Sequence, residues 1–294
     1  MDEHAGLTER FEEDRTRLRA VAYRMLGSVS EADDAVQETW LRLHRTDISG
    51  VENLSGWLTT VTARVCLNML RARESRREDP LAALVPETSV GQEDGCDPEE
   101  EALLADSVGL ALLVVLDTLT PAERIAFVLH DLFAVPFDEI GPMIERSPTA
   151  ARQLASRARR RVKGATPVPD ADLARQRHVV DAFLAATRGG DFDALVRLLH
   201  PDVVLRADPA VVPTPEPIVV RGARTVAQGA MAAMGRARFT QPGLVNGAVG
   251  LIMAPLGRLA LVLGFTVTAD GITEIDVIAD RGRLSQVDIA VLDA

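Results

Sequence analysis

Cysteine, aromatic residues and long apolar runs are all scarce in this chain, and each shortage closes off a class of protein. The 294 residues include two cysteines, Cys66 inside an expected helix and Cys96 in an acidic stretch, with no Cys-x-x-Cys or Cys/His cluster. That speaks against a disulfide framework and a zinc site; no metal and no cofactor are expected. No apolar run approaches the roughly 18 to 20 residues of a membrane span. The opening residues, MDEHAGLTERFEED, are acidic and polar, unlike a signal peptide. Aromatic residues make up 4% of the chain against 47% hydrophobic, the balance of a soluble protein rich in Ala, Leu and Val. The length leaves room for two or three domains with cores of their own. The expected location is the cytoplasm, with no membrane partner.

Basic charge is also in the minority, at a formal net charge of -11. Taken alone, that argues against general nucleic-acid binding. Its distribution reverses the reading. Glu78 to Asp106 holds ten acidic residues and no basic one, whereas Arg64 to Arg77 and Arg146 to Lys163 are strongly basic. Charge is sorted by segment, and the basic segments have helical periodicity.

The stretch Phe137 to Lys163, FDEIGPMIERSPTAARQLASRARRRVK, reads as two helices around a tight turn. The first runs to about Glu145, with Ile140, Met143 and Ile144 at helical apolar spacing. Ser147 suits an N-cap and Pro148 the first helical position, where a missing N–H costs nothing. In the second helix Ala151, Leu154, Ala158 and Val162 fall on one side. Thr149, Gln153, Ser156, Arg160 and Lys163 fall on the other, flanked by Arg152, Arg157 and Arg159. Arg146 to Lys163 carries seven basic residues and no acidic one. This is the pattern of a helix-turn-helix whose second helix meets base edges with its first turns and phosphates along its length.

Upstream, Thr8 to Leu26 forms a first amphipathic helix ended by Gly27. Ser30 is then expected to cap a second, SEADDAVQETWLRLHR, with acids in its first turn. Its inner face is Ala32, Val36, Trp40 and Leu43; its outer face is Asp34, Gln37, Glu38, Leu41 and Arg45. Leu41 amid polar neighbours fits a partner-binding anchor, and equally a single stray exposed leucine. A long helix follows, LSGWLTTVTARVCLNMLRARESRRE. Trp57, Arg64, Asn68 and Arg71 share a stripe that suits unstacked single-stranded DNA, unless Trp57 belongs to the core.

SEADDAVQETWLRLHR followed by GWLTTVTARVCLNMLRARESRR resembles the sigma-2 domain of an extracytoplasmic-function sigma factor of the sigma-70 family. LTPAERIAFVLHDLFAVPFDEIGPMIERSPTAARQLASRARRRV resembles its sigma-4 domain. The two matches, in order, cover about Phe11 to Lys163. Glu78 to Asp106, with Pro80, Pro86, Pro98, Gly91 and Gly95, is then an interdomain linker, either an ordinary solvated one or one that threads a basic channel.

Some 130 residues follow the resemblance, after a stiff connector Thr166-Pro167-Val168-Pro169. Two helices (ADLARQRHVVDAFLAATR and DFDALVRLLH) precede a strand, HPDVVLRAD, then IVVRGA and a helix from about Ala223 to Met234. The remainder, ARFTQPGLVNGA, VGLIMAP, RLALVLGFTVTAD and ITEIDVIAD, alternates as strands, with a hairpin at Asp270-Gly271. Helices first and a curved antiparallel sheet after make an α+β cone, which resembles the SnoaL-like domain carried by the sigma-J subgroup. Three stretches depart from that subgroup: Leu84-Val85-Pro86-Glu87, Asp208 followed by Pro209-Ala210-Val211, and Ala279 to Leu284.

The resemblance implies a multidomain protein, two all-α domains followed by an α+β cone-shaped SnoaL-like domain. The expected limits are 8–77 for sigma-2, 78–106 for the linker, 107–164 for sigma-4 and 170–294 for the SnoaL-like domain. It implies a sigma factor, not an enzyme, that binds core RNA polymerase and promoter DNA, with a C-terminal domain that regulates it. Asp34, Gln37, Glu38 and Leu41 would dock on the polymerase. Arg64, Asn68 and Arg71 would work near the minus-10 element. Thr149, Arg152, Gln153, Ser156, Arg157 and Arg160 would read the minus-35 element. Two other classes stay open: a helix-turn-helix regulator with a ligand-sensing domain, and a SnoaL-like enzyme fused to a DNA-binding region. For an enzyme, His178, His200, Asp202 and Asp208 are the acid/base candidates, although His200 in His-Pro-Asp at a helix end also suits capping.

Overall fold

The computed structural model describes residues 2–78, 109–164, 170–211, 214, 216–255 and 258–292. All of the acidic linker but Glu78 lies outside them, as do Cys96, Leu84 to Glu87 and the connector Thr166 to Pro169. The chain divides into two compact units, Met1–Glu101 with Leu116–Arg159, and Ala102–Val115 with Arg160–Ala294.

The first unit opens with three helices, α1 (Asp2–Leu26), α2 (Val29–Arg45) and α3 (Leu54–Glu78). Phe11, Leu18, Val36, Leu43 and Leu58 form their shared core, with Trp40, Leu54 and Trp57 packed at its edge. Trp57 is therefore partly a core residue. The hydroxyls of Thr39 and Thr62, both fully buried, lie 3.1 Å apart and 2.8 and 2.9 Å from the Ala35 and Leu58 carbonyl oxygens four residues back, so the single proton of each goes either to its own carbonyl or to the other hydroxyl. That satisfies two polar groups in a place where an unpaired one would be costly. Cys66 lies in the same interior, and burial pushes its thiol up to about 12, out of the reactive range. The cap of α2 is Ser28, whose Oγ accepts the N–H of Glu31, and not Ser30, which lies inside the helix. Gly27 closes α1 by donating to Tyr23, so the next helix begins almost at once.

The unit continues with the end of α4 (Leu110–Asp117), then α5 (Pro121–Phe127), a π-helical turn (Val128–Leu132), α6 (Phe137–Met143) and α7 (Pro148–Lys163). Thr120 and Glu123 make a reciprocal capping box at the start of α5, with Pro121 in the first turn. Arg124 is buried. It donates to the Met25 carbonyl at 2.9 Å and to Asp117 at 3.0 Å.

The second unit is α+β. α8 (Asp170–Gly189) and α9 (Phe192–Leu198) lead into β1 (Leu199–Ala207), β2 (Ile218–Arg221) and α10 (Ala223–Ala232). A 3-10 turn (Met234–Phe239) then leads to β3 (Thr240–Val245), β4 (Ala248–Met253), β5 (Leu261–Thr268) and β6 (Gly271–Ile278). A four-residue helix α11 (Arg281–Leu284) and a two-residue strand β7 (Ile289–Ala290) end it, neither of them expected from the sequence. The sheet order is β2-β1-β6-β5-β4-β3-β7, antiparallel except for the parallel pair β1 and β6. Ala237 to Phe239, expected at the head of a strand, belong to the 3-10 turn, and the strand starts at Thr240. His200-Pro201-Asp202, where the expected helix DFDALVRLLH meets the expected strand HPDVVLRAD, lies within β1.

Alternation along the strands gives the sheet two apolar faces. On one, Val203, Val249, Leu251, Phe265 and Ile275 pack with Val180, Phe183 and Leu184 of α8 and Val226 of α10. On the other, Val245, Ile252, Val262 and Ile289 pack with Leu110, Ala111, Val114 and Val115 of α4 and with Val162 of α7. The residues 110–115, expected to belong to the helix-turn-helix domain, are thus part of the core of the second unit.

Candidate nucleic-acid interface

The turn between α6 and α7 is built from its own residues. Ser147 accepts the N–H of Ala150 and Pro148 begins α7, as the sequence requires. Gly141 has the backbone of Arg146 and Pro148 against it; a Cβ there would lie 2.8 Å from the Arg146 carbonyl oxygen, so a side chain would force the turn open. The inner face of α7 is three fully buried alanines, Ala151, Ala155 and Ala158. Small residues at each contact let α7 approach closely. Leu154, expected to be inside, is half-buried at the margin. Thr149, Arg152, Gln153, Ser156, Arg157 and Arg160 are all exposed. Arg159 is turned aside into an ion pair with Asp131 of the π-helical turn. The Arg152 guanidinium lies 5.4 Å from the centre of the Phe137 ring.

On α3, Arg64, Asn68 and Arg71 are exposed and share one face by their spacing of four and three. Arg71 stands 3.6 Å from Glu145, which holds the helix-turn-helix corner with a positive φ of 58°. On α2, Asp34, Gln37 and Leu41 are exposed along one stripe, with Leu41 40% accessible. Glu38 borders that stripe, half-buried, with a carboxylate 2.8 Å from Arg42 one turn on. The structure thus brings the six α7 residues onto one face, and likewise the α3 and α2 sets.

The models of Sigma-70 region 2 and of Sigma-70, region 4 match residues 11–76 and 109–162. The chain is 40% identical over 274 residues to the ECF RNA polymerase sigma factor SigJ of Mycobacterium tuberculosis, covering 91% of this chain and 86% of that one. This chain is an ECF sigma factor. The crystal structure of the M. tuberculosis SigJ covers 95% of this sigma factor and 98% of that chain, at 31% identity and a TM-score of 0.44. An NTF2-like protein of Burkholderia xenovorans is similar to 40% of this sigma factor over 97% of its own length, at 15% identity and a TM-score of 0.26.

The sigma factor accordingly binds core RNA polymerase and promoter DNA and directs promoter-specific initiation; it is not an enzyme. Two of the four acid/base candidates, Asp208 and His200, have other occupations. Asp208 is buried and accepts the N–H groups of Ala279 and Asp280 at 3.0 and 3.1 Å and a guanidinium bond from Arg283. Burial works against its ionisation, but the amides of Asp280 and Ala279 and the Arg283 charge outweigh it and hold its pKa below the ordinary value. Two of the stretches that depart from the subgroup, Asp208 onward and Ala279 to Leu284, are therefore bonded to one another. His200 Nδ1 accepts the N–H of Asp202, and His178 is exposed on α8. Among the described residues no group of three or more His, Cys, Asp or Glu could hold a metal ion, and no helix is long and apolar enough to cross a membrane.

Asp131, Arg124 and Gln241, which no sequence motif singles out, also hold the structure together. Gln241 accepts the Leu110 N–H at 2.6 Å, and Val291 of the second unit donates to the Val162 carbonyl in the last turn of α7 at 2.9 Å. Local pattern gives little sign of them, since Met25 lies 99 residues from Arg124, Arg159 lies 28 from Asp131 and Leu110 lies 131 from Gln241, and only Asp117 is near its partner Arg124.

Proposed function

We propose that three exposed faces divide the work of initiation. Thr149, Arg152, Gln153, Ser156, Arg157 and Arg160 read the minus-35 element, Arg64, Asn68 and Arg71 act near the minus-10 element, and Asp34, Gln37, Glu38 and Leu41 dock on polymerase. The observation that carries the reading is the split of α7: every one of its six proposed contact residues is exposed, none is acidic, and alanines fill the opposite side. In a chain of net charge -11, such a face has phosphate as its natural counterpart. The corresponding working limits are 8–77 and 107–164 for the promoter-binding modules, 78–106 for the linker between them and 170–294 for the third domain. The site of action is the cytoplasm, where polymerase and promoter are.

The C-terminal domain, on this reading, bears on initiation through the two pieces of chain it packs with, residues 110–115 of α4 and the end of α7. Holoenzyme binding to a panel of single-base minus-35 variants tests the assignment. Arg152→Ala or Gln153→Ala should relax preference at one position, at a cost of about 1–3 kcal/mol. Arg160→Ala should weaken all promoters alike and flatten the salt dependence. An unchanged base preference in both Arg152→Ala and Gln153→Ala would refute it.

A further inference from the structure

The π-helical turn Val128–Leu132 is the one π-helical element among the described residues, and it sits directly before the helix-turn-helix. Such turns insert an extra residue into a helix and so re-aim the side chains that follow. Here two successive side chains are delivered to the helix-turn-helix. The His130 ring stacks on Phe137 with centroids 3.8 Å apart and planes inclined by 28°. Its Nδ1 lies 3.0 Å from the Val135 carbonyl oxygen, which fixes the ring, and the Val135 N–H donates to Leu129 at 2.9 Å. Asp131 pairs with Arg159 of α7. Phe137 is buried, yet its ring has the exposed Arg152 guanidinium 5.4 Å from its centre.

We propose that this turn aims the recognition helix: Phe137, backed by His130, is a positioning residue for Arg152, and Asp131 is one for Arg159. The proposal rests on the reading of α7 as the helix that meets promoter bases. A guanidinium held against an aromatic ring keeps its planar fork of donors in one orientation, the one a bidentate contact with a base needs. Without the ring, Arg152 regains freedom that must be lost again on binding. Asp131 has a different effect. It withdraws Arg159 from the phosphate track, so the basic side of α7 grips the backbone less and base contacts weigh more in the choice of promoter.

The test is initiation and binding by the full chain with core polymerase on single-base variants of the minus-35 element. Phe137→Leu should lower discrimination at the same base as Arg152→Ala, by about two- to fivefold. The double variant should be no worse than Arg152→Ala alone, and Phe137→Tyr, which keeps the ring, should behave as the parent. Asp131→Asn, at an exposed position that leaves the fold intact, should strengthen binding to all promoters alike and steepen the salt dependence by about one phosphate contact. Additive losses in the double variant would overturn the positioning role of Phe137, as would parental discrimination in folded Phe137→Leu. An unchanged salt dependence in Asp131→Asn would overturn that of Asp131. If Arg152→Ala itself changes no base preference, Arg152 reads no base and the Phe137 proposal falls, whereas the reading of α7 fails only if Gln153→Ala is equally without effect.

Discussion

The Arg124 guanidinium donates to the carbonyl oxygen of Met25 at 2.9 Å from a side chain that is 5% accessible. Met25 is at the end of α1, where carbonyls lack intrahelical donors and the helix dipole is negative. The neighbouring Leu26 carbonyl takes Arg73 of α3 at 3.0 Å. One helix end is thus capped by two arginines, one from region 2 and one from region 4. Arg124 also holds Asp117 at 3.0 Å. Replacing it by alanine strands the buried Met25 acceptor and leaves the partly exposed Asp117 carboxylate unpaired from it, and should cost about 2–4 kcal/mol. Urea unfolding of the full chain should show a lower midpoint in Arg124→Ala, and Arg124→Lys, which cannot fork to both acceptors, should recover less than half of the loss. A parental midpoint in Arg124→Ala would show that the bonds carry no net stability.

Leu41 is 40% exposed on a stripe with Asp34 and Gln37, the arrangement of an apolar anchor with a polar rim. Leu41→Glu should abolish pull-down of core polymerase while the helical circular dichroism and melting temperature stay parental, because no core contact is lost. The neighbouring Glu38 already has a partner in Arg42. Glu38→Gln should therefore weaken polymerase binding far less than Leu41→Glu does. Equal effects of the two would mean that charge, not the apolar anchor, governs docking.

The parts of this chain legible in its sequence are those whose causes are local. Ser147 and Pro148 set the start of α7 because capping chemistry acts over three or four residues, and the exposed face of α7 followed from helical periodicity. Even there, hydrophobic spacing favours Leu154 as the inner residue, and the structure buries Ala155 instead. An alanine carries little periodic signal, although on a closely packed helix it is the better fit. Ser28 and Ser30 both precede acids and either could cap α2 by its local sequence; only the abrupt end of α1 at Gly27 decides for Ser28. Long-range contacts left no local trace. LALLVVLD in α4 is apolar on every side, so its burial was foreseeable, but its partners Val245, Ile252 and Val262 lie more than a hundred residues on. The π-helical turn had no signature at all, since VLHDL suits an ordinary helix equally well.

Asp208 gives the second unit an acid-sensitive point. Its folded pKa is held below the ordinary carboxylate value by the Asp280 and Ala279 amides and Arg283 despite its burial. The stabilisation is therefore fully present above the unfolded pKa of about 4 and is lost as pH falls through the folded value. Asp208→Asn should destabilise the full chain at neutral pH, where the anion accepts three bonds. The difference from the parent, measured by urea unfolding at a series of pH values, should shrink below about pH 4. A difference that stays constant down to pH 3 would show that the carboxylate charge contributes nothing.

Removing the C-terminal domain uncovers apolar side chains of α4 and α7. Leu110, Ala111, Val114, Val115 and Val162 pack on Val245, Ile252, Val262 and Ile289, and Val291 caps the Val162 carbonyl. Ending the chain at Lys163 would leave those side chains without a cover, and a buried Val or Leu is worth about 1.5–3 kcal/mol. Promoter output by the truncated chain should therefore fall several-fold, with faster amide exchange in residues 110–117 and a tendency to associate. A gentler variant separates lost cover from lost mass. Gly164 follows α7 with a positive φ of 78°, and a Cβ added there would lie 2.8 Å from that of Ala290. Gly164→Ala keeps every domain but strains this junction on both counts, by about 1–2 kcal/mol. It should reproduce part of the truncation's loss of output and of exchange protection in residues 110–117. If Gly164→Ala is parental in both while the truncation raises output, the C-terminal domain acts as a separable inhibitor and not as structural cover for α4 and α7.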